Sequence, residues 1–287
     1  MKIKVSLGQR IFTVFNYIFI SLLVLLCFYP FWHVLTASFS DANLLFKHTG
    51  LLLKPLGFTL EAYKVVLEQE LLISGYINIF FLLIVGIPLD LVITALGAYF
   101  FSRNDVYFKK PLFTFCLLTM YISGGMIPFY LNMRDLHLTN TLWGIVLAFC
   151  LSAYNMIILR TAFASVPESL CDAARIDGAG HITTLFRVVL PLSKASVAVI
   201  ALYYGMSIWN GWFWSSTLIS DQKKWPLQAV LRKLLIEDTS VAGGGNMMNV
   251  ETVRYAIIIV SIIPVLLVYP LLQKHFTKGV LVGAVKG

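Results

Sequence analysis

The chain has 287 residues, 59% hydrophobic and only 13% charged, with a mean hydropathy of +0.82. A soluble domain carries roughly 25% charged residues, which excludes a soluble globular protein. The formal charge of +8 belongs to Lys and Arg flanking membrane spans, not to a nucleic-acid surface.

The apolar residues gather in runs near the ~20 residues that cross a bilayer, not in the short alternating segments of a β-barrel. The predicted fold class is therefore an all-α polytopic membrane protein with six transmembrane helices. Residues 1–10 form the amino terminus. The first span runs from about Ile11 to Ala37. It is too long for the apolar region of a signal peptide and no small-residue cleavage site follows, so it reads as a retained span. Residues 11–70 comprise this span and an external loop, in which Leu60 to Leu67 has the pattern of a short amphipathic helix.

Spans two to six occupy residues 71–272. They run from about Leu71 to Phe101, Leu112 to Leu131, Thr141 to Leu159, Ser193 to Ile219 and Tyr255 to Leu272. Gly124, Gly125 and Pro128 lie near the end of span three, and Pro264 and Pro270 inside span six. Such breakers are tolerated in membrane helices because neighbours satisfy the freed backbone groups. Residues 220–253 form a second long external loop with a flexible Gly243-Gly244-Gly245-Asn246 tip. Residues 273–287 are the tail.

Six spans put both termini on one side. That side carries Lys2, Lys4 and Arg10, then Arg103, Lys109 and Lys110, then Arg160, Arg175, Arg187 and Lys194, and finally Lys274, Lys278 and Lys286. These are more than half of the 22 Lys and Arg, which makes that side cytoplasmic. Cys27, Cys116, Cys150 and Cys171 have no metal or redox spacing and read as small buried residues. The five His residues are scattered.

The cytoplasmic connection at about 165–191 departs from its apolar surroundings. Ser165 and Glu168 have capping-box spacing, with Pro167 in the first turn. Leu170, Ala173 and Ala174 share one helical face. Asp177-Gly178 is a turn, with Gly178 suited to the left-handed cap. Ile182, Leu185, Phe186 and Val189 form a second stripe, closed by Pro191. Two readings fit this helix–turn–helix. It lies on the lipid interface, or it is a docking knob whose small Ala side chains allow close approach and whose Glu168, Asp172, Arg175 and Asp177 pair with a cytoplasmic partner.

Inside the spans, Asp90 stands between Leu89 and Leu91. A carboxylate in lipid costs several kcal/mol, so it faces a wet cavity or a neighbouring helix, or stands nearer the interface in a shifted span. Trp209, Asn210, Trp212 and Trp214 end span five. They are candidates for the faces and hydroxyls of a sugar, or for an interfacial aromatic belt. Asn78 and Asn155 fit helix–helix hydrogen bonds equally well.

The 165–191 connection resembles the EAA loop of binding-protein-dependent ABC importer permeases: Asp172-Ala173-Ala174-Arg175-Ile176-Asp177-Gly178-Ala179, then Leu190-Pro191. Here Asp172 replaces the usual Glu and shortens the carboxylate's reach by one methylene. Gly97-Ala98-Tyr99 with Ser102-Arg103, Met126-Ile127-Pro128, Leu138-Thr139-Asn140-Thr141-Leu142-Trp143-Gly144, Trp209-Asn210 and Gly283-Ala284-Val285-Lys286-Gly287 resemble the sugar-importer branch typified by the maltose permease subunit. The resemblance implies the transmembrane subunit of an oligosaccharide importer in the bacterial inner membrane. It further implies a second similar permease, two ATPase subunits and an extracellular binding protein. Glu168, Asp172, Ala173, Ala174, Arg175, Asp177 and Gly178 would then couple to an ATPase. Asp90, Trp209, Asn210 and Trp212 would be candidates for the substrate pathway. No phosphate loop and no catalytic or metal cluster is present, so ATP and Mg are expected on the partner ATPases and no cofactor or metal here. An importer for another solute, or an ion-coupled transporter, remains the alternative.

Overall fold

The computed structural model describes residues 7–237 and 250–267. Every regular element among them is a helix. Among the described residues three helices are long and apolar enough to cross a membrane on their own: Gly8–Ser38, within the helix Leu7–Ser38, then Glu70–Ser102 and Val250–Leu267. Three bent pairs meet the same test together, which gives six spans if each pair counts as one. The pairs are Lys109–Tyr121 with Met126–Asp135, bent by 113°, Leu142–Ala148 with Ala153–Ala164, bent by 51°, and His181–Leu192 with Lys194–Asn210, bent by 90°.

The chain divides into two compact units. In the first, residues 7–69 with 233–237 and 250–263, the helix Leu7–Ser38 exposes its apolar side chains from Ile11 to Phe28 along most of its length, as a lipid-facing span does. Its end is laced to the following loop. Trp32 Nε1 donates to Leu53 O at 3.0 Å, and the Ser38 and Tyr63 hydroxyls lie 2.7 Å apart. The expected amphipathic helix is present as Glu61–Leu67 and buries Ala62 and Val66. A second helix, Ala42–Lys47, was not foreseen. Its signal is Asp41, whose carboxylate accepts the N–H groups of Asn43 and Leu44 as an N-cap.

In the second unit, residues 70–232 with 264–267, the helix Glu70–Ser102 carries a π-turn at Leu82–Gly86 just before Pro88. Its second half packs mainly on Ala153–Ala164 and also on Lys194–Asn210. The shared core contains Ala95, Ala98, Met156, Leu159, Phe163 and Ile200. Against its first half lies an unforeseen helix, Leu227–Arg232. Close approach there needs Gly75, because a methyl group on it would sit 3.2 Å from Val230 Cγ2 and 3.3 Å from Leu227 Cα. Predicted span three is broken at residues 122–125, where Gly125 takes φ of +86° and the chain turns sharply.

The loops of this unit gather at two ends. Asn140 joins the 136–141 loop to the 218–224 loop: its N–H donates to Leu218 O at 2.7 Å and its Oδ1 accepts the Asp221 N–H at 3.0 Å. The 103–108 loop instead meets the 165–191 connection, where Arg175 binds Asp105. Among the cysteines only Cys171 is buried. Cys116 and Cys150 are half-buried and Cys27 is exposed, which corrects the expectation of four buried thiols. Cys27 lies on the apolar outer surface of the first helix, where lipid replaces a protein core. The Gly243–Asn246 tip and the tail lie outside the described residues.

Candidate functional site

The 165–191 connection is a short helix, a tight turn and a second helix. The first, Glu168–Ile176, starts at Pro167 without a side-chain cap. The expected capping box does not form, because the Ser165 hydroxyl donates to Ala162 O at 2.7 Å and closes the preceding helix instead. Glu168 in the first turn and Arg175 in the last complement the helix dipole.

The helix ends in a Schellman motif. The Gly178 N–H donates to Arg175 O at 2.9 Å and the Ala179 N–H to Ala174 O at 2.9 Å, with Gly178 at φ of +84°. The space around Gly178 is open, so the backbone conformation alone demands glycine.

One residue of this helix, Cys171, points into the bundle and is 1% exposed. Glu168, Asp172, Ala173, Arg175, Asp177 and Gly178 are exposed and Ala174 is half-buried. The predicted stripe of the second helix splits. Leu185 and Val189 are fully buried, while Ile182 and Phe186 are exposed at 60% and 44%. The reason is a π-turn at Leu185–Val189, whose extra residue rotates the register away from the 3.6 period. The result is an elbow with its underside in the core and its outer face open.

Charge is arranged around the elbow. Arg175 Nη2 donates to Asp105 Oδ2 at 2.9 Å and Nη1 lies 3.6 Å from Asp172 Oδ1. Partial burial pushes the Asp105 carboxyl up. Its own backbone N–H and the Arg175 guanidinium outweigh that and hold it below the usual carboxylate range. Beneath the elbow lies Arg103, 7% exposed, whose Nη1 donates to Cys171 Sγ at 3.1 Å. Sequence reasoning placed Arg103 at the cytoplasmic end of a span and read Cys171 as a small buried residue, which it is; it did not pair the two and gave Asp105 no role, since nothing in their spacing brings residues 68 positions apart together.

The second unit also holds a partly open cavity of about 830 Å³. Asp90, Asn155, Tyr204 and Asn210 contribute polar groups to its wall, with Trp212 and Trp214 among the aromatic ones. Of the four pathway candidates, Asp90, Asn210 and Trp212 line the cavity and Trp209 does not. Asp90 is 3% exposed. Asn210 Nδ2 donates to Met206 O at 2.9 Å, and Trp212 carries the Arg232 guanidinium 3.7 Å above its ring. Asn78 plays the structural part, donating to Lys223 O at 2.8 Å and Trp225 O at 3.1 Å. Among the described residues no cluster of His, Cys, Asp or Glu is placed to hold a metal.

Comparison with known proteins agrees with this architecture. A family model described as binding-protein-dependent transport system inner membrane component matches residues 6–282. The polygalacturonan/rhamnogalacturonan transport system permease protein YtcP of Bacillus subtilis is 36% identical over 285 residues, covering 97% of this chain and 99% of the relative. Protein LplC of the same organism is 35% identical over 283 residues, covering 97% and 96%. The structure is similar, at a TM-score of 0.89 and 35% identity, to a chain of a bacterial ABC transporter involved in the import of the acidic polysaccharide alginate, covering 94% of this chain and 98% of that one.

Proposed function

The chain belongs to the binding-protein-dependent transport system inner membrane components, and we propose that it is the permease subunit of an ATP-driven importer that takes up an oligosaccharide delivered by an extracellular binding protein. The observation that carries the reading is the elbow. Its underside is fixed by Cys171, Leu185 and Val189, while Asp172, Ala173 and Gly178 stay open on its outer face. A surface that is rigid below and open above suits a partner that pulls and pushes. On this reading Glu168, Asp172, Ala173, Ala174, Arg175, Asp177 and Gly178 meet one of two ATPase subunits, which bind ATP and Mg and do the hydrolysis. A second, similar permease completes the membrane part. The elbow and both termini lie in the cytoplasm, in keeping with Arg103, Lys109, Arg160 and Arg175 gathering near the elbow.

The cavity lined by Asp90, Asn210 and Trp212 serves as this subunit's part of the substrate path. Aromatic faces suit the apolar faces of a pyranose, and a carboxylate and an amide accept its hydroxyl protons. Because the relatives include proteins of polygalacturonan/rhamnogalacturonan and alginate transport, uronate-containing oligosaccharides come first in the search for its substrate. The ion-coupled alternative has no support in the family.

The experiment is co-purification of the chain with its partner permease, ATPases and binding protein, followed by a saccharide screen for binding-protein-dependent stimulation of ATP hydrolysis. An oligosaccharide that stimulates hydrolysis is the expected result. A complex stimulated only by amino acids or phosphate compounds overturns the sugar assignment. ATP turnover by the purified chain alone overturns the division of labour.

A further inference from the structure

The end of the helix Glu70–Ser102 is fastened to the elbow through Arg103 and Asp105, neither of which belongs to the proposed docking face. Arg103 Nη1 donates to Cys171 Sγ at 3.1 Å and its Nε to Ser102 Oγ at 3.3 Å, and its guanidinium lies 5.0 Å from the centre of the Tyr99 ring. Two residues on, Asp105 takes Arg175 at 2.9 Å. Arg160 Nε, from Ala153–Ala164, donates to Phe101 O at 3.0 Å. Cys171 also shares its apolar cluster with Ala95, Ala98 and Tyr99 of the same helix. A buried guanidinium is costly to desolvate, and an apolar side chain of similar volume packs there at lower cost. Its presence therefore calls for a role beyond packing.

The covalent exits from the elbow helix are bends. It leaves through the Gly178–Gly180 turn, and the next helix meets Lys194–Asn210 at 90°. Such joints absorb a displacement. The Arg103 and Asp105 contacts are shorter links, because Arg103 is the residue that ends Ile87–Ser102, an unbroken α-helix, and Asp105 follows two residues on in the loop. That helix begins at the π-turn Leu82–Gly86 and carries Asp90, about 20 Å from Arg103 at 1.5 Å per residue. Leu82, Gly86 and Asp90 all line the cavity.

We propose that Arg103 and Asp105 are positioning residues that convey movement of the elbow helix to Ile87–Ser102, and so to the cavity wall that holds Asp90. This inference rests on the importer reading above. Arg103 supplies the grip under the elbow and Asp105 the grip at its side. The span then pivots as a rod on its π-turn.

The test uses the whole complex in liposomes with its binding protein, with oligogalacturonates as the first substrate offered and otherwise the saccharide identified by the screen. Uptake per ATP hydrolysed is measured, together with the amount of ATPase retained on the permeases. Arg103→Met fills the volume without its donors, Arg103→Lys keeps the charge, and Asp105→Asn removes the side grip. The expected result for Arg103→Met is wild-type ATPase retention with uptake per ATP lowered about fivefold or more, the lower range of coupling energies between sites. Arg103→Lys recovers part of the loss and Asp105→Asn shows a smaller one. Should Arg103→Met fail to insert, the exposed Asp105→Asn position carries the test. A wild-type ratio in the inserted variants overturns the inference, as does a parallel fall of uptake and hydrolysis in step with the yield of complex. If no saccharide stimulates the wild-type complex, the importer reading fails first and this inference with it.

Discussion

The Tyr204 hydroxyl lies 2.6 Å from the Thr94 hydroxyl and also accepts the Ser152 N–H at 2.9 Å. One phenol thus joins the helices Glu70–Ser102 and Lys194–Asn210 to the start of Ala153–Ala164. Thr94 and Tyr204 are both buried. Tyr204→Phe leaves the half-buried Ser152 N–H and the buried Thr94 hydroxyl without this partner, and an unsatisfied buried group such as the Thr94 hydroxyl costs about 1–3 kcal/mol. Thermal unfolding of the purified permease in detergent should fall by several degrees. Thr94→Val, which keeps the Ser152 bond, should fall less. Equal melting of wild type and Tyr204→Phe would reject this account.

Two glycines that look alike in sequence should respond differently to alanine. A methyl group on Gly144 would sit 1.9 Å from the Leu138 carbonyl oxygen, a backbone atom that cannot give way. On Gly97 the nearest atom is Met156 Sδ at 2.9 Å, on a flexible side chain. Gly144→Ala should therefore lower the yield of folded permease sharply, and Gly97→Ala only slightly. Size-exclusion profiles of the two variants decide it, and a monodisperse Gly144→Ala at wild-type yield would count against the contact.

The long apolar runs were legible because lipid imposes length and composition on a span regardless of its neighbours. Gly178 was legible because a positive φ is a local demand that Asp-Gly signals on its own. The breaks were harder to read. The elbow's second stripe fails at Leu185–Val189 because a π-turn inserts a residue, and no composition rule marks that. Helix Leu227–Arg232 is short and lies in a stretch that reads as loop, and its stability comes from burial against Gly75. Arg103 and Cys171 meet only through the fold. Of the cavity residues, Asp90 was conspicuous as a lone acid in lipid, whereas Tyr204 looks like any aromatic of a span.

Gly178→Val tests the elbow's shape. Its φ of +84° costs an L-residue about 1–2 kcal/mol even though the space around it is open. A β-branched residue there should unravel the Schellman turn and displace the outer face. Insertion should remain normal while ATP-linked uptake in proteoliposomes is lost. Gly178→Asn, which visits the left-handed region more readily, should keep much of it. Normal uptake by Gly178→Val would argue against a docking role for this turn.

The Asp105–Arg175 contact should depend on pH in one direction. The Asp105 carboxyl is held below its usual range, so its contribution is present above the unfolded carboxylate value, about 3.9, and is lost as pH falls through the lower folded value. Both side chains are substantially exposed, so the effect is small and weakens with salt. Melting curves of wild type and Asp105→Asn should converge below pH 4 and differ slightly at pH 7. A difference that grows on acidification would have the wrong sign.

Asp90 separates a substrate contact from a structural one. A carboxylate of a cavity wall that accepts a sugar hydroxyl makes a charge-assisted hydrogen bond of about 1.5–3 kcal/mol, roughly tenfold or more in affinity. Asp90→Asn keeps an acceptor and should raise the KM of uptake modestly. Asp90→Leu removes it and should raise KM by the full factor, while losing nothing in stability, since an apolar side chain in a membrane helix avoids the cost of a buried carboxylate. If Asp90 instead braces a neighbouring helix, Asp90→Leu should lower the melting temperature and leave KM unchanged. Melting and uptake measured on the same two variants therefore point in opposite directions under the two accounts.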